Sequence, residues 1–272
     1  MRRRNLAIGL AALAIIGLAL AIWLRPRGGG NPAGRPLFAR APAAMTQLRA
    51  RWASGDRLLL RRRAGRWRIL QPVRAPADPT RIRAFLAALS EPVSSSYPAT
   101  RIAPADAGLA PPRLVVAAGD GSASFGRINP ATGLRYVRRG NTVFTVADTI
   151  LPRLAAGVWQ FVDPRLLPRG ARVTGVRLPG ARTRAAPALA GAWQSAVAER
   201  VGPPAGRTAP SAGTVAVALA GASATRRFTI RSRRPKLRLD RPGAGVEYIL
   251  PAAAASRLLP TASAPGARTP GG

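Results

Sequence analysis

Residues 57–89 read RLLLRRRAGRWRILQPVRAPADPTRIRAFLAAL, and the order of signals along them decides the fold. Leu58-Leu59-Leu60-Arg61 reads as a strand, and Trp67-Arg68-Ile69-Leu70 alternates as a second. Ala64-Gly65 lies between them as a turn, so the two make a hairpin. Pro72 and Pro76 end it, because proline has no N–H to give to a ladder. Asp78 then stands where its side chain can cap the free N–H groups of a helix, with Pro79 at the first helical position. Ile82, Phe85, Leu86 and Leu89 recur at helical spacing. A helix with one apolar face that follows a hairpin is expected to pack on a sheet, and its exposed face carries Arg81 and Arg83. The expected fold class is α+β.

Downstream the pattern stays β-rich. Ala107-Gly108-Leu109-Ala110-Pro111-Pro112 is a rigid turn before a strand over 113–117. Gly119-Asp120-Gly121 is a hairpin signal, and the return strand ends at Ser124-Phe125-Gly126. Asn129-Pro130-Ala131-Thr132-Gly133 turns the chain again. Strands over 134–138 and 142–146 flank Gly140-Asn141, and Asp148 can cap a short helix holding Ile150, Leu151 and Leu154. The second half echoes this series weakly. Val215 to Ala218 matches Val115 to Ala118 in character, and Arg227 to Ile230 stands where Phe125 to Ile128 stood. Leu237 to Leu239 answers Tyr136 to Arg138. Glu247 to Leu250 answers the strand over 142–146, and Ala253 to Leu259 answers the short helix. Trp193 echoes Trp67, but no counterpart of the Asp78-capped helix is visible.

Upstream, Leu6 to Leu24 is one unbroken apolar run with Trp23 at its end. At ~1.5 Å per residue a helix of this length reaches roughly 28 Å, close to the ~30 Å hydrocarbon core of a bilayer. Arg2, Arg3 and Arg4 precede it, and Arg25 and Arg27 follow it. The positive-inside rule favours an N-terminus inside and the bulk of the chain outside. Ala19-Leu20-Ala21 matches a signal-peptide cleavage site, so a cleaved leader is the rival to an anchor. Either way export to a bacterial periplasm is expected. The expected plan is a transmembrane anchor over 1–27, a linker over 28–45, a first α+β unit over 46–168, a second and degenerate β-rich unit over 169–260, and a disordered tail over 261–272.

Composition removes whole classes of chemistry. The 272 residues include no Cys and no His, which excludes disulfides, thiolate metal sites, His-based triads and His-ligated metals. Basic residues number 43 against 10 acidic, a net charge of +33. Such a charge points to a polyanion such as anionic lipid or acidic glycan. No helix-turn-helix, zinc-finger or RNP-like pattern supports nucleic acid. Lys236 is the sole lysine, and the abundance of Ala, Gly and Pro fits GC-rich coding drift. Drift explains Arg in place of Lys but not the shortage of acids.

Each candidate site has a plainer rival. Trp67 is a binding aromatic or part of the core. Gly108-Leu109 with Pro111-Pro112 is a recognition surface or a rigid turn. Asn129 to Gly133 with Arg135 is an anion cradle built from backbone N–H groups or a solvated hairpin loop. Gly119 and Gly121 lack the third glycine and the helix of a dinucleotide fingerprint. No two acids are close enough in sequence to suggest a catalytic pair, and Lys236 is not in a Ser-x-x-Lys. No catalytic, cofactor or metal residues are expected, and no cofactor.

Gly65 to Trp67, Pro72, Ala77-Asp78, Gly108-Leu109 to Pro112, Phe125-Gly126 and Tyr136-Val137 occur in one order. In that order they resemble the bacterial family known as domain of unknown function 4340, well over about residues 1–170 and loosely beyond. The resemblance implies an exported, membrane-anchored α+β domain. It also implies association with ABC transporter systems of the gliding-motility or auxiliary type, beside permease and ATPase subunits. It supplies no catalytic residues. The function expected is a non-catalytic auxiliary or scaffold subunit of an inner-membrane assembly. The alternative is a basic binding module for an envelope polyanion.

Overall fold

The structure, a computed structural model, describes residues 34–38, 44–119, 121–154, 156–181, 183–184, 186–206, 208–223 and 225–260. The expected anchor and tail, and Asp120, lie outside the described residues. Among the described residues no helix is long and apolar enough to cross a membrane.

The quoted stretch folds as its pattern requires. Arg57–Arg63 is β2, Arg66–Gln71 is β3, Ala75–Pro76 is β4 and Pro79–Leu89 is α1. Asp78 Oδ1 accepts from Thr80 N at 2.8 Å and from Arg81 N at 3.4 Å, which satisfies two of the free N–H groups at the helix start. Ile82, Phe85, Ala88 and Leu89 form the buried side of α1. A strand that the hairpin signals do not announce, β1 (Gln47–Trp52), pairs with β2. Another, β5 (Val93–Pro98), follows α1 and is mostly serine, tyrosine and proline, so it carries almost no apolar alternation.

The chain continues as a meander: β6 (Leu114–Ala118), β7 (Gly121–Ile128), β8 (Arg135–Arg139) and β9 (Thr142–Val146), then the short helix α2 (Ile150–Leu154). These strands form a nine-stranded antiparallel sheet in the order β4-β3-β2-β1-β6-β7-β8-β9-β5. Register keeps one face apolar: Leu48 faces Leu60, Leu60 faces Ile69, and Phe125 faces Val137. Asp148 does not sit at a helix cap. Its carboxylate takes Arg135 Nε at 2.6 Å.

The second half contains β10 (Val173–Arg177), β11 (Thr183–Arg184), α3 (Pro187–Ser195), β12 (Arg200–Gly202), β13 (Thr214–Leu219), β14 (Arg226–Ser232), β15 (Leu237–Arg241), β16 (Val246–Leu250) and α4 (Ala253–Leu258). Its seven-stranded sheet runs β11-β10-β13-β14-β15-β16-β12. In both sheets a four-strand meander lies between an earlier strand (β1 or β10) and an edge strand that follows a helix (β5 or β12). Trp193 is therefore not placed like Trp67. It is a helix residue, six positions after Pro187, as Phe85 is six after Pro79. Trp193 is fully buried against Phe228 at 5.2 Å between centroids, and its Nε1 donates to Leu258 O at 3.1 Å. Ala, Gly and an uncapped start at Ala186 hid this helix from its sequence pattern.

One buried apolar cluster runs through both halves, from Leu37 to Leu259. The segment after α2 joins them. Phe161 packs on Phe85 at 5.5 Å, and Phe161 O accepts from Asp78 N at 2.7 Å. Ala198 N donates to Pro164 O at 2.8 Å on the other side. Within the stretch read as linker, Leu37 and Phe38 are also buried, with the Arg139 guanidinium over the Phe38 ring at 5.4 Å and Arg139 Nη1 on Leu37 O at 2.9 Å.

The turn at Gly108 folds back on the outer face of the first sheet. Ala107 and Leu109 are buried with Val143 in a small second cluster. Arg127 N donates to Ala107 O at 2.8 Å, and a Cβ on Gly126 would lie 2.1 Å from that same oxygen. Gly126→Ala should therefore displace the turn and cost at least about 3 kcal/mol, read as a shift in urea midpoint. In the second sheet Tyr248 is 3 % exposed beside Phe228. Burial raises the Tyr248 phenol above its ordinary value near 10, while Arg241 opposes the shift. The stability this represents is complete below about pH 10 and is lost as pH rises through the raised value. Tyr248→Phe should flatten that alkaline loss in melts taken at increasing pH.

Candidate functional site

A cleft of about 730 Å³ opens where the two halves meet. That volume lies within the range of ligand sites. One wall comes from the first half: Arg81 in the opening turn of α1, and Trp159 and Gln160 in the 3-10 turn Val158–Phe161. The other comes from β12, the Pro203-Pro204 loop, Arg238 on β15, and Glu247 and Ile249 on β16.

The wall positions follow from local chemistry. The Asp78 cap fixes the opening turn of α1 and hence Arg81. Gln160 Nε2 donates to Gly157 O at 3.0 Å, which ties the turn that presents Trp159. Trp159 is half-buried and packed on the main core. On β15 and β16, Arg238 Nε and Nη2 donate to Glu247 Oε1 and Oε2 at 2.9 and 2.8 Å, a two-pronged pair. The Glu247 side chain is 4 % exposed and that of Arg238 is 48 % exposed. The hydrogen bond to Glu247, and then its charge, raise the Arg238 guanidinium above its ordinary value, with burial opposing. Next to them Arg231 Nε donates to Asp240 Oδ2 at 2.6 Å, and Arg231 Nη1 donates to Ala209 O at 2.6 Å. Ala205 N donates to Asp240 Oδ1 at 3.4 Å, so this pair holds Ala205 and Ala209 on the sheet.

Glu199 at the rim pairs with Lys236. Arg81 and Arg200 are exposed and have no acid partner among the described residues. The cleft thus offers an indole and prolines between two arginine charges. Its two unpaired arginine charges suit an acidic group better than a cation.

The sequence candidates fall elsewhere. Trp67 is half-buried against the core on the inner side of β3. The Gly108 turn is a packing element. In the Asn129 loop, Ala131 N is held by Asn129 Oδ1 at 3.0 Å and Gly133 N by Asn129 O at 2.9 Å. Arg135 does not join that loop as an anion cradle. It turns to the inner face, 4 % exposed, paired with Asp148 and donating to Gly126 O. Gly119 and Gly121 flank the β6–β7 hairpin. Trp159, Arg81, Arg200 and the Arg238–Glu247 pair are too scattered for spacing to unite them. The one signal was an acid, Glu247, inside an otherwise apolar strand pattern.

The pair should respond asymmetrically. Arg238→Gln leaves a buried carboxylate without its cation and should cost about 1–3 kcal/mol. Glu247→Gln releases Arg238 to water and should cost less, as equilibrium unfolding of the two variants can show.

The model of a family described as a domain of unknown function (DUF4340) matches residues 37–197. No curated protein and no solved structure matches the chain.

Proposed function

This chain belongs to the DUF4340 family, and from that premise we propose that it is a non-catalytic auxiliary or scaffold subunit of an inner-membrane assembly, an ABC-type exporter. The anchor read in Leu6 to Leu24 would hold it as a single-pass protein, N-terminus in the cytoplasm and folded part in the periplasm. The chain lacks Cys and His, the residue types that most often supply nucleophiles, bases and metal ligands. The observation that carries the reading is the cleft between the halves. A preformed slot with Trp159 on one wall and Arg81 and Arg200 at its mouth suits an extended segment of a partner subunit. The matching strand orders of the two sheets support an internal duplication, with the cleft at the join between copies.

A second reading, a module that binds an envelope polyanion, is favoured by the arginines that gather on the outer face of β1, β2 and β3.

Gentle solubilisation of native membranes and capture on a C-terminal tag test the first reading. Permease and ATPase subunits should be recovered in stoichiometric amount, and a folded Trp159→Ala/Arg200→Glu variant should lose them at least tenfold. The reading fails if the protein migrates alone and its deletion changes no transporter's level or activity.

A further inference from the structure

On the outer face of β1, β2 and β3 the register sets arginine directly opposite arginine three times. Arg51 faces Arg57, Arg61 faces Arg68, and Arg63 faces Arg66. Arg49 adds a further charge on the same face of β1, where the Gln47 amide, oriented with its oxygen toward the guanidinium, accepts from it at 2.9 Å. All of these arginines are exposed. None is salt-bridged to a carboxylate among the described residues. Like charges directly opposite across an antiparallel pair destabilise the sheet. Folding gains nothing from three such pairs side by side.

The second sheet shows that the chain has another solution available. On the face of β14–β16 that the cleft and the segment at Ala205 and Ala209 cover, Arg231 is paired with Asp240 and Arg238 with Glu247, and both carboxylates are buried. Coding drift acts on composition and is blind to which face of which sheet a codon serves. It does not account for acids that answer the arginines on a face of the second sheet and are withheld from the exposed face of β1–β3.

The chemistry of the face selects its partner. Guanidinium groups bind phosphate with two parallel N–H bonds. Trp52 and Trp67 lie on the inner side, Trp52 opposite Leu114 and both packed on the core. The described part of this face therefore offers no ring on which a base or sugar could stack. It is a sheet face rather than a groove, with strands about 4.8 Å apart, so its charges form a lattice rather than a track. Nine residues, Arg25 to Ala33, separate the expected membrane span from Gly34. At most ~3.5 Å each, they keep the domain within roughly 30 Å of the bilayer surface.

We propose that the outer face of β1–β3 lies on the phosphate headgroups of an anionic phospholipid bilayer. This rests on the polyanion reading and is independent of the transporter reading. Attraction of this kind falls off within a Debye length, about 10 Å at moderate salt, so contact must be close and salt must weaken it.

The full chain, reconstituted in nanodiscs, is treated with phenylglyoxal, and arginine labelling is read residue by residue by mass spectrometry. On changing the lipid from phosphatidylcholine to a phosphatidylglycerol mixture, labelling of Arg51, Arg61, Arg63 and Arg68 should fall at least about threefold and recover in high salt. Arg227 on β14 and Arg233 in the turn after it should not change. In the exposed variant Arg61→Gln/Arg63→Gln/Arg66→Gln/Arg68→Gln, the protection of Arg49 and Arg51 should vanish while the melting temperature holds or rises. Unchanged labelling of the face, or an equal fall at every arginine, overturns the proposal. Protection of the same face by soluble polygalacturonate but not by phosphatidylglycerol overturns the lipid assignment and leaves the polyanion reading standing. Protection by neither removes both.

Discussion

The segment from Val158 to Leu167 is the constraint on which the rest of the molecule depends. It carries no strand of either sheet, yet it is tied by backbone to both halves. Asp163 N donates to Pro76 O at 3.0 Å and Asp78 N to Phe161 O at 2.7 Å, which fixes it to the first half. Leu166 N donates to Ala196 O at 3.3 Å and Ala198 N to Pro164 O at 2.8 Å, which fixes it to the second. Phe161, Val162, Leu166 and Leu167 fill the space between. Orphaned polar backbone in such a place would be costly, so each bond holds the seam in one arrangement. The position of Trp159 follows from that arrangement, and with it the width of the cleft.

Charge is the second constraint. With 43 basic residues against 10 acidic, most arginines must do without a partner, and the placement of the acids is where the chain shows a choice. Asp148, Asp240 and Glu247 each engage an arginine whose partner lies on or beside the same sheet, and Asp78 caps a helix. At Asp78, Asp240 and Glu247 the carboxylate is held by two donors or by a two-pronged fork, the geometries in which a carboxylate contributes most. Exposed arginines that do not face one another across strands contribute little to stability either way.

How far the sequence was legible follows from how local each signal is. The hairpin over 57–71 and the capped helix after it are written in nearest neighbours, and they were readable. So was the meander from Leu114 to Val146. β1 was missed because QLRARW lies between a proline-rich stretch and a Ser-Gly turn, with too few residues to outweigh its arginines. β5 was missed because its strand character comes from pairing with β9, not from its own serines. The helix holding Trp193 was missed because Ala and Gly write no amphipathic stripe. The cleft was out of reach altogether, since Arg81, Trp159, Arg200 and Glu247 meet only through the seam.

The same reasoning explains what the recurring short motifs are for. Gly108-Leu109 and Phe125-Gly126 are separated in sequence but meet on the outer face of the first sheet, where Ala107 O takes Arg127 N and leaves no room for a side chain at Gly126. Phe125 points the other way, into the main core. These residues define a packing joint of the first sheet. Function is to be sought where packing explains least: at Arg81 and Arg200, beside a Trp159 ring that the core covers only in part, and on a sheet face whose facing arginines work against the fold that displays them. The unpaired arginines of both places do nothing for the fold, and the partners proposed for them are what would account for their positions.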